Sequence, residues 1–205
     1  MKNLITQNSK LKKTSKELKM KIFNFGITAY KTTKGKLTCP FADACVKFCY
    51  AKKGAYIWSN VAQVFEQRYQ ATKKDDFEYK MIDEIKRKKV DVVRVHDSGD
   101  FYSTKYLYKW LWIADQLPNV KFYAYTNSIK MVKDAKNDIG QNFDFIFSNS
   151  GKQVNLINKA IDRHTSIFKS SEDLKKNGYV DASKIDFNAT KWMNPNNNKI
   201  GLIFH

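Results

Sequence analysis

Cysteine, histidine and proline are scarce in this chain of 205 residues, three of each, and glycine is little commoner at eight. So little proline and glycine excludes collagen-like and low-complexity linker architectures. Three cysteines cannot all pair within one chain, which argues against a secreted disulfide scaffold and for a reducing compartment. No apolar run is long enough to span a bilayer, and Lys2, Lys10, Lys12 and Lys13 are not followed by the apolar stretch of a secretory leader. The expectation is a soluble, cytoplasmic protein with no membrane partner. Arginine is short as well, with only Arg68, Arg87, Arg94 and Arg163 among 37 basic residues.

What the chain does have is lysine and aromatic side chains. The net charge is +17, and 42% of residues are hydrophobic and 14% aromatic, enough to bury one full core. The charge admits two readings: a nucleic acid or other polyanion as partner, or the lysine, asparagine and isoleucine bias of an A/T-rich genome. Lysine binds phosphate as a point charge and reads base edges poorly, so sequence-specific recognition is not expected.

Residues 1–20 are polar and lysine-rich and read as a basic N-terminal arm; residues 21–205 read as a single α/β domain. Strands are expected at Lys21 to Ile27, Val90 to His96, Val120 to Thr126, Phe143 to Ser148, Thr165 to Phe168 and Ile200 to Phe204. Between them, helical spacing appears at Ile57 to Tyr69, at Phe77 to Ile85 behind an Asp75/Glu78 capping box, at Leu107 to Ala114, at Met131 to Ala135 and at Val154 to Ile161. Six strands alternating with helices predict a parallel sheet, as an open or partial (β/α)6 barrel, with a doubly wound sheet as the other solution.

All three cysteines fall in eleven residues, Cys39, Cys45 and Cys49, with the spacing C-x5-C-x3-C. Free cysteines scatter through cores as small hydrophobes, whereas three on one short loop can converge on a soft metal. Three thiolates suit a 4Fe–4S cluster with one iron left open. Zinc needs a fourth ligand to close its shell, for which His96, Asp97, His164 and His205 are available. Three unligated thiols in an apolar loop are the remaining alternative.

Active sites of parallel α/β folds lie outside the carboxyl ends of the strands, and polar residues gather there: His96-Asp97-Ser98-Gly99-Asp100, Tyr125-Thr126-Asn127-Ser128 and Ser148-Asn149-Ser150. Ser103, Ser128 and Ser171 have a simpler explanation as caps or turns. His96, Asp97, Tyr125, Asn127, Ser148 and Asn149 are the candidate substrate rim. Two carboxylates bracketing Ser98-Gly99 are more than one turn requires.

A cysteine loop after the first strand of a partial (β/α)6 barrel marks radical S-adenosylmethionine enzymes, and the loop here resembles a wider-spaced variant. More closely, Thr38-Cys39-Pro40-Phe41-Ala42 with Cys45, Cys49-Tyr50-Ala51, Val93 to Tyr102, Phe122 to Ser128 and Lys199 to His205 resemble the phage gene product 88 family. That resemblance implies a phage context, hence the host cytoplasm, and an iron–sulfur centre. The radical S-adenosylmethionine likeness implies that Cys39, Cys45 and Cys49 ligate the cluster, that Tyr50 lies near the cofactor's adenine, and that Ser98, Gly99 and Asp100 bind its methionine part, Asp100 through the amine. It further implies a reducing partner and a radical modification of a substrate, with a nucleic acid or nucleotide as the candidate class. Two rivals are a non-enzymatic, basic nucleic-acid-binding or host-directed protein whose zinc or cluster only staples a loop, and a zinc hydrolase using Asp97 or His96.

Overall fold

Short β-branched and aromatic runs, each closed by a polar turn, form the strands. A computed structural model describes residues 3–203. The strands are β1 (Ile22–Phe25), β2 (Val92–Val95), β3 (Lys121–Thr126), β4 (Phe143–Ser148), β5 (His164–Phe168), β6 (Val180–Asp181) and β7 (Lys199–Ile203). All pair in parallel, in the order β1-β2-β3-β4-β5-β7-β6, and the sheet curls into a half-barrel. The expected six strands are present, and two-residue β6 adds a seventh beyond β7, so the sequential order breaks at that edge. Phe204 and His205, the expected strand end and a candidate zinc ligand, lie outside the described residues.

The helices are α1 (Ser9–Leu18), α2 (Cys45–Phe48), α3 (Ser59–Ala71), α4 (Phe77–Lys88), α5 (Thr104–Asp115), α6 (Ile129–Asp134) and α7 (Ser171–Lys176). Side chains alternate across each strand. Phe25, Val93, Val95, Phe122 and Phe145 therefore meet α4 and α5 on the convex face, around Phe77, Met81, Leu107 and Trp110. Ile22, Val92, Tyr123, Ile146 and Ile200 form the concave floor, covered by Leu11 of α1 and by Phe187 in the turn Asp186–Ala189. Strand register aligns Asn24, Arg94, Tyr123 and Asp144 in one polar row above that floor.

Three local expectations give way to other interactions. The basic N-terminal segment is docked rather than a free arm: Leu4, Ile5 and Leu11 are buried, Thr6 bridges Asn24, Glu84 accepts from Leu4 N at 2.6 Å, and Asn8 caps α1 by accepting from Leu11 N at 2.9 Å. The capping box does not form, because Asp76 is the cap residue, with no side-chain cap bond, and pairs with Lys80, while Glu78 pairs with Lys109. The helix expected over 154–161 shrinks to one turn, Val154–Leu156. There Asp162 accepts from Asn158 N, and Asn158 Oδ1 accepts from Ala160 N; such side-chain bonds compete with helix. Of its apolar stripe Ile157 packs against the convex core, while Ile161 is left exposed.

Candidate functional site

The 66 residues between β1 and β2 carry the cysteines before they reach α3, and the fold pins this loop at several points across the carboxyl ends of the strands. Tyr30 carbonyl accepts from Thr38 N at 2.8 Å and from Cys39 N at 3.4 Å, and Thr38 carbonyl accepts from Asp100 N at 3.0 Å. Further along, Ala42 bridges Gly151 beyond β4, and Phe41 carbonyl accepts from Lys152 N at 2.8 Å. A Cβ on Gly151 would lie 2.3 Å from Asn127 Oδ1 and 2.6 Å from that carbonyl, so only glycine permits the crossing. The loop therefore spans the mouth from β1 to β4.

Beneath it lies the β2 exit. Gly99 (φ 83) packs on Ile27, whose Cγ1 would meet a Cβ at 2.2 Å. Asp100 is buried and anchors three segments: its Oδ1 accepts from Thr126 Oγ1 at 2.6 Å and from Phe101 N at 2.7 Å, its Oδ2 from Asn127 N at 2.8 Å. Burial raises its carboxyl to about 6 despite these donors. Asp97 is different. Its Oδ2 accepts from Asn24 Nδ2 at 2.6 Å and Tyr56 hydroxyl at 3.3 Å, while its buried Oδ1 has no partner. Burial raises the Asp97 carboxyl as well, opposed by Arg94 and the Asn24 bond.

Tyr50, next to Cys49, donates its hydroxyl to Asp97 carbonyl and receives Arg94 Nη2 at 3.4 Å. Arg94 lies over the Tyr125 ring at 5.3 Å and pairs with Asp186 at 3.1 Å, and Asp186 also takes Tyr123 hydroxyl and Lys10. Burial works against both charges in the Arg94–Asp186 pair, yet each holds the other ionised: Arg94 is raised and Asp186 lowered.

The thiols sit where β1, β2 and β3 end. Cys45 Sγ is 4.0 Å from Asn127 Nδ2. Burial raises the Cys39 thiol, with Asp100, Cys49 and Cys45 adding to it, and burial followed by Cys45 raises that of Cys49. Among the described residues, no three His, Cys, Asp or Glu side chains are set to hold a single metal ion. Of the fourth zinc ligands considered from the sequence, the two described histidines point elsewhere, since His96 Nε2 bonds Tyr106 hydroxyl at 2.9 Å and His164 bonds Asp162 carbonyl and Tyr179, whereas Asp97 lies at the mouth and His205 lies outside the described residues.

The sequence-derived set thus separates. Cys39, Cys45, Cys49, Tyr50, Asp97, Ser98, Gly99, Asp100, Tyr125 and Asn127 come together at the mouth. His96 does not belong to the rim: it turns into the convex core against Phe101 at 4.5 Å, and burial pulls it down to about 3, so it is neutral. Ser148 is half-buried and Asn149 exposed beyond β4, with no side-chain bond to the cysteine loop. Ser103 caps α5, Ser128 donates to Phe101 carbonyl, and the cap of α7 is Ser170 rather than Ser171.

Sequence reasoning missed Asn24, Tyr56, Arg94 and Asp186. The legible signal was two polar residues at inward positions of apolar strands, Asn24 and Arg94; nothing local marks Asp186. Two further signs mark the mouth. Thr38 Oγ1, Arg94 Nε, Asp97 Oδ1, Tyr125 hydroxyl and Asn127 Oδ1 are buried without partners, and such atoms call for a bound group or a strain role. Among the described residues four non-glycines have positive φ: Lys19 and Lys89 close helices, but Tyr30 (φ 61) and His96 (φ 65) are bulky and flank the site. Strained backbone of that kind concentrates at working sites.

No solved structure matches the chain. The Gene 88 protein of Mycobacterium phage L5 is 31% identical over 101 residues, and that of Mycobacterium phage D29 is 30% identical over 101 residues. Each match spans 43% of this chain and 42% of the relative's own length. The family model described as Gene product 88 matches residues 2–203, cysteine loop and β2 exit included, and the chain belongs to that family.

Proposed function

We propose that this protein is an iron–sulfur enzyme of radical S-adenosylmethionine type. The observation that carries the reading is the loop itself: three thiols held over the strand ends of a parallel half-barrel, beside buried polar atoms that have no partner within the fold. The donor set suits a cluster better than zinc. The two described histidines turn away from the sulfurs, which leaves Asp97 with its free Oδ1 as the carboxylate at the mouth for a closed zinc shell, whereas a cube with three thiolates and an open iron needs no fourth protein ligand. Positive charge gathered there would also offset the burial that raises Cys39 and Cys49.

When bound and reduced, such a cluster supplies the electron that cleaves the sulfonium of S-adenosylmethionine, so a reducing partner is required. The chain's own residues do the rest. Asp100 has its oxygens engaged by Thr126, Phe101 and Asn127, so it positions Cys39 and Asn127 rather than taking the cofactor's amine. The oxygen free for that amine is Asp97 Oδ1. Tyr50 closes the site between Asp97 and Arg94, and Tyr125 with Asn127 borders the concave side.

Anaerobic purification followed by iron, sulfide and zinc analysis is the test, with 5′-deoxyadenosine measured after adding reductant and S-adenosylmethionine. The reading expects about four irons and four sulfides per chain, lost in Cys45→Ser, and deoxyadenosine formation that falls in Asp97→Asn while iron is retained. Stoichiometric zinc without sulfide sinks it. A cluster that never yields deoxyadenosine leaves the non-enzymatic reading, a stapled basic binding protein.

A further inference from the structure

The loop that carries the cysteines also carries charge out of proportion to its length. Between Thr28 and Trp58, Lys31, Lys34, Lys36, Lys47, Lys52 and Lys53 face a single acidic residue, Asp43. All six are exposed, and none forms an ion pair among the described residues. Lys31 and Lys52 come from opposite ends of the loop to the Tyr30 ring, at 5.2 and 5.6 Å from its centroid, which brings both ammonium groups to one aromatic side chain. Lys31, in the hairpin closed by the Lys31–Leu37 bridge, edges a groove along α3 and α4 whose lining also carries Glu66, Asp76, Asp83 and Glu84, so the phosphate-attracting surface is the hairpin and not that groove. Directly before Ser59 stands Trp58, 63% exposed, where a Trp side chain would ordinarily be covered.

We propose that this lysine flap binds a single-stranded nucleic acid, which names the substrate class for the mouth beneath it and to that extent rests on the function read above. Ammonium groups spaced along the hairpin take phosphates, and the uncovered Trp58 offers a face on which a base stacks. No arginine lies in the flap, so bidentate reading of base edges is absent and sequence preference is weak. Apart from the single turn α2, the flap is built of loops and short turns, which gives no helix long enough to enter a duplex groove. A strand lying over Lys31, Lys34, Lys36 and Lys52 passes the edge of the mouth that holds Cys49 and Tyr50.

Fluorescence anisotropy with a labelled twenty-nucleotide oligothymidine, run from low to moderate salt, tests this. The triple variant Lys31→Glu/Lys34→Glu/Lys36→Glu loses at least tenfold in affinity, and its salt slope falls by about 2, the share of three phosphates. A control with the same charge change, Lys86→Glu/Lys175→Glu/Lys176→Glu, lies on helix ends that lead back to strand starts, and loses far less. Trp58→Ala weakens oligothymidine about fivefold or more but leaves heparin, a polyanion without bases, unchanged. Equal losses in the two triples, duplex or anionic vesicles bound as tightly as the single strand, or a silent Trp58→Ala would each overturn the proposal. Iron content of the same proteins keeps the two questions apart: a flap variant that keeps its iron and loses the oligonucleotide speaks to the flap alone, and Cys45→Ser that loses iron but binds normally speaks to the cluster alone.

Discussion

The two faces of the half-barrel sheet use the same seven strands for opposite ends. The convex face is closed: Phe25, Phe77, Trp110 and Phe122 interlock edge to face at 5.1 to 6.5 Å, Phe143 packs tilted on Phe122 at 5.7 Å, and all five are almost wholly buried. The concave face has a small apolar floor, then an ionised Arg94–Asp186 pair, then buried polar atoms with no partner. Folding energy is therefore concentrated on one side, which lets the other carry groups that cost stability. The difference teaches that the polar mouth is tolerated because the aromatic layer behind it is complete.

The sharpest way to break that arrangement is on the closed side. Trp110→Ala empties the centre of the aromatic layer and is expected to cost about 3–5 kcal/mol, measured by chemical denaturation. Next comes Gly26→Ala, at the point where the two sides meet. A Cβ there would lie 2.1 Å from Asp97 Oδ1 and 2.7 Å from Phe65 Cε1, so β1 and α3 must separate. The expected loss is about 3 kcal/mol, the upper end for overpacking. An intact stability would show that Asp97 can swing away, and with it the only carboxylate oxygen the mouth leaves free.

The two sides were not equally legible. Strands of the convex core announce themselves through Val92-Val93 and Phe143-Asp144-Phe145, and Phe143–Ser148 falls where its pattern places it. The cysteine loop was legible because three thiols in eleven residues have no packing explanation. The concave network was not, because its members are far apart in sequence: Asp186 meets Arg94 and Lys10 only once the turn Asp186–Ala189 folds under the sheet. His96 shows the limit of reading polarity alone. Its position at a strand end suggested the rim, yet a positive φ turns the ring back into the aromatic core, where Tyr106 hydroxyl satisfies one nitrogen. Docking of the N-terminal segment had a faint signal in Leu4, Leu11 and Leu18, spaced by seven residues, which its lysines hide.

His96 and Asp100 sit four residues apart on opposite sides of the divide, and pH separates them. His96 is held at about 3 by burial, below its ordinary 6.5. It contributes stability present above about pH 6.5 and lost as pH falls toward about 3, because the unfolded chain takes up the proton first. Asp100, raised to about 6 from 3.8, acts the other way: the native state holds its proton longer, so stability is greatest below about pH 4 and falls as pH rises to about 6. Between pH 4 and 6 the two slopes oppose each other. Relative to the parent, His96→Asn should then lose stability as pH climbs through that window and Asp100→Asn should gain it, each by about 2 kcal/mol, read from denaturation midpoints across pH. Asparagine is chosen at 96 because it accepts the left-handed backbone. Parallel profiles for the two variants would contradict the assignment of one residue to each side.

The smallest effect is the most informative about the mouth. Tyr125 hydroxyl is buried, has no partner in the fold, and burial pushes its ionisation far up. Removing it in Tyr125→Phe deletes an unsatisfied group while keeping the ring that Arg94 covers, so stability is expected to stay within about 0.5 kcal/mol or to rise. The same change should weaken whatever the concave side binds, because the hydroxyl is a donor with no other employment. A stability loss above about 1 kcal/mol would mean that the hydroxyl is already satisfied by the fold, and the mouth would then have one fewer group to offer a ligand.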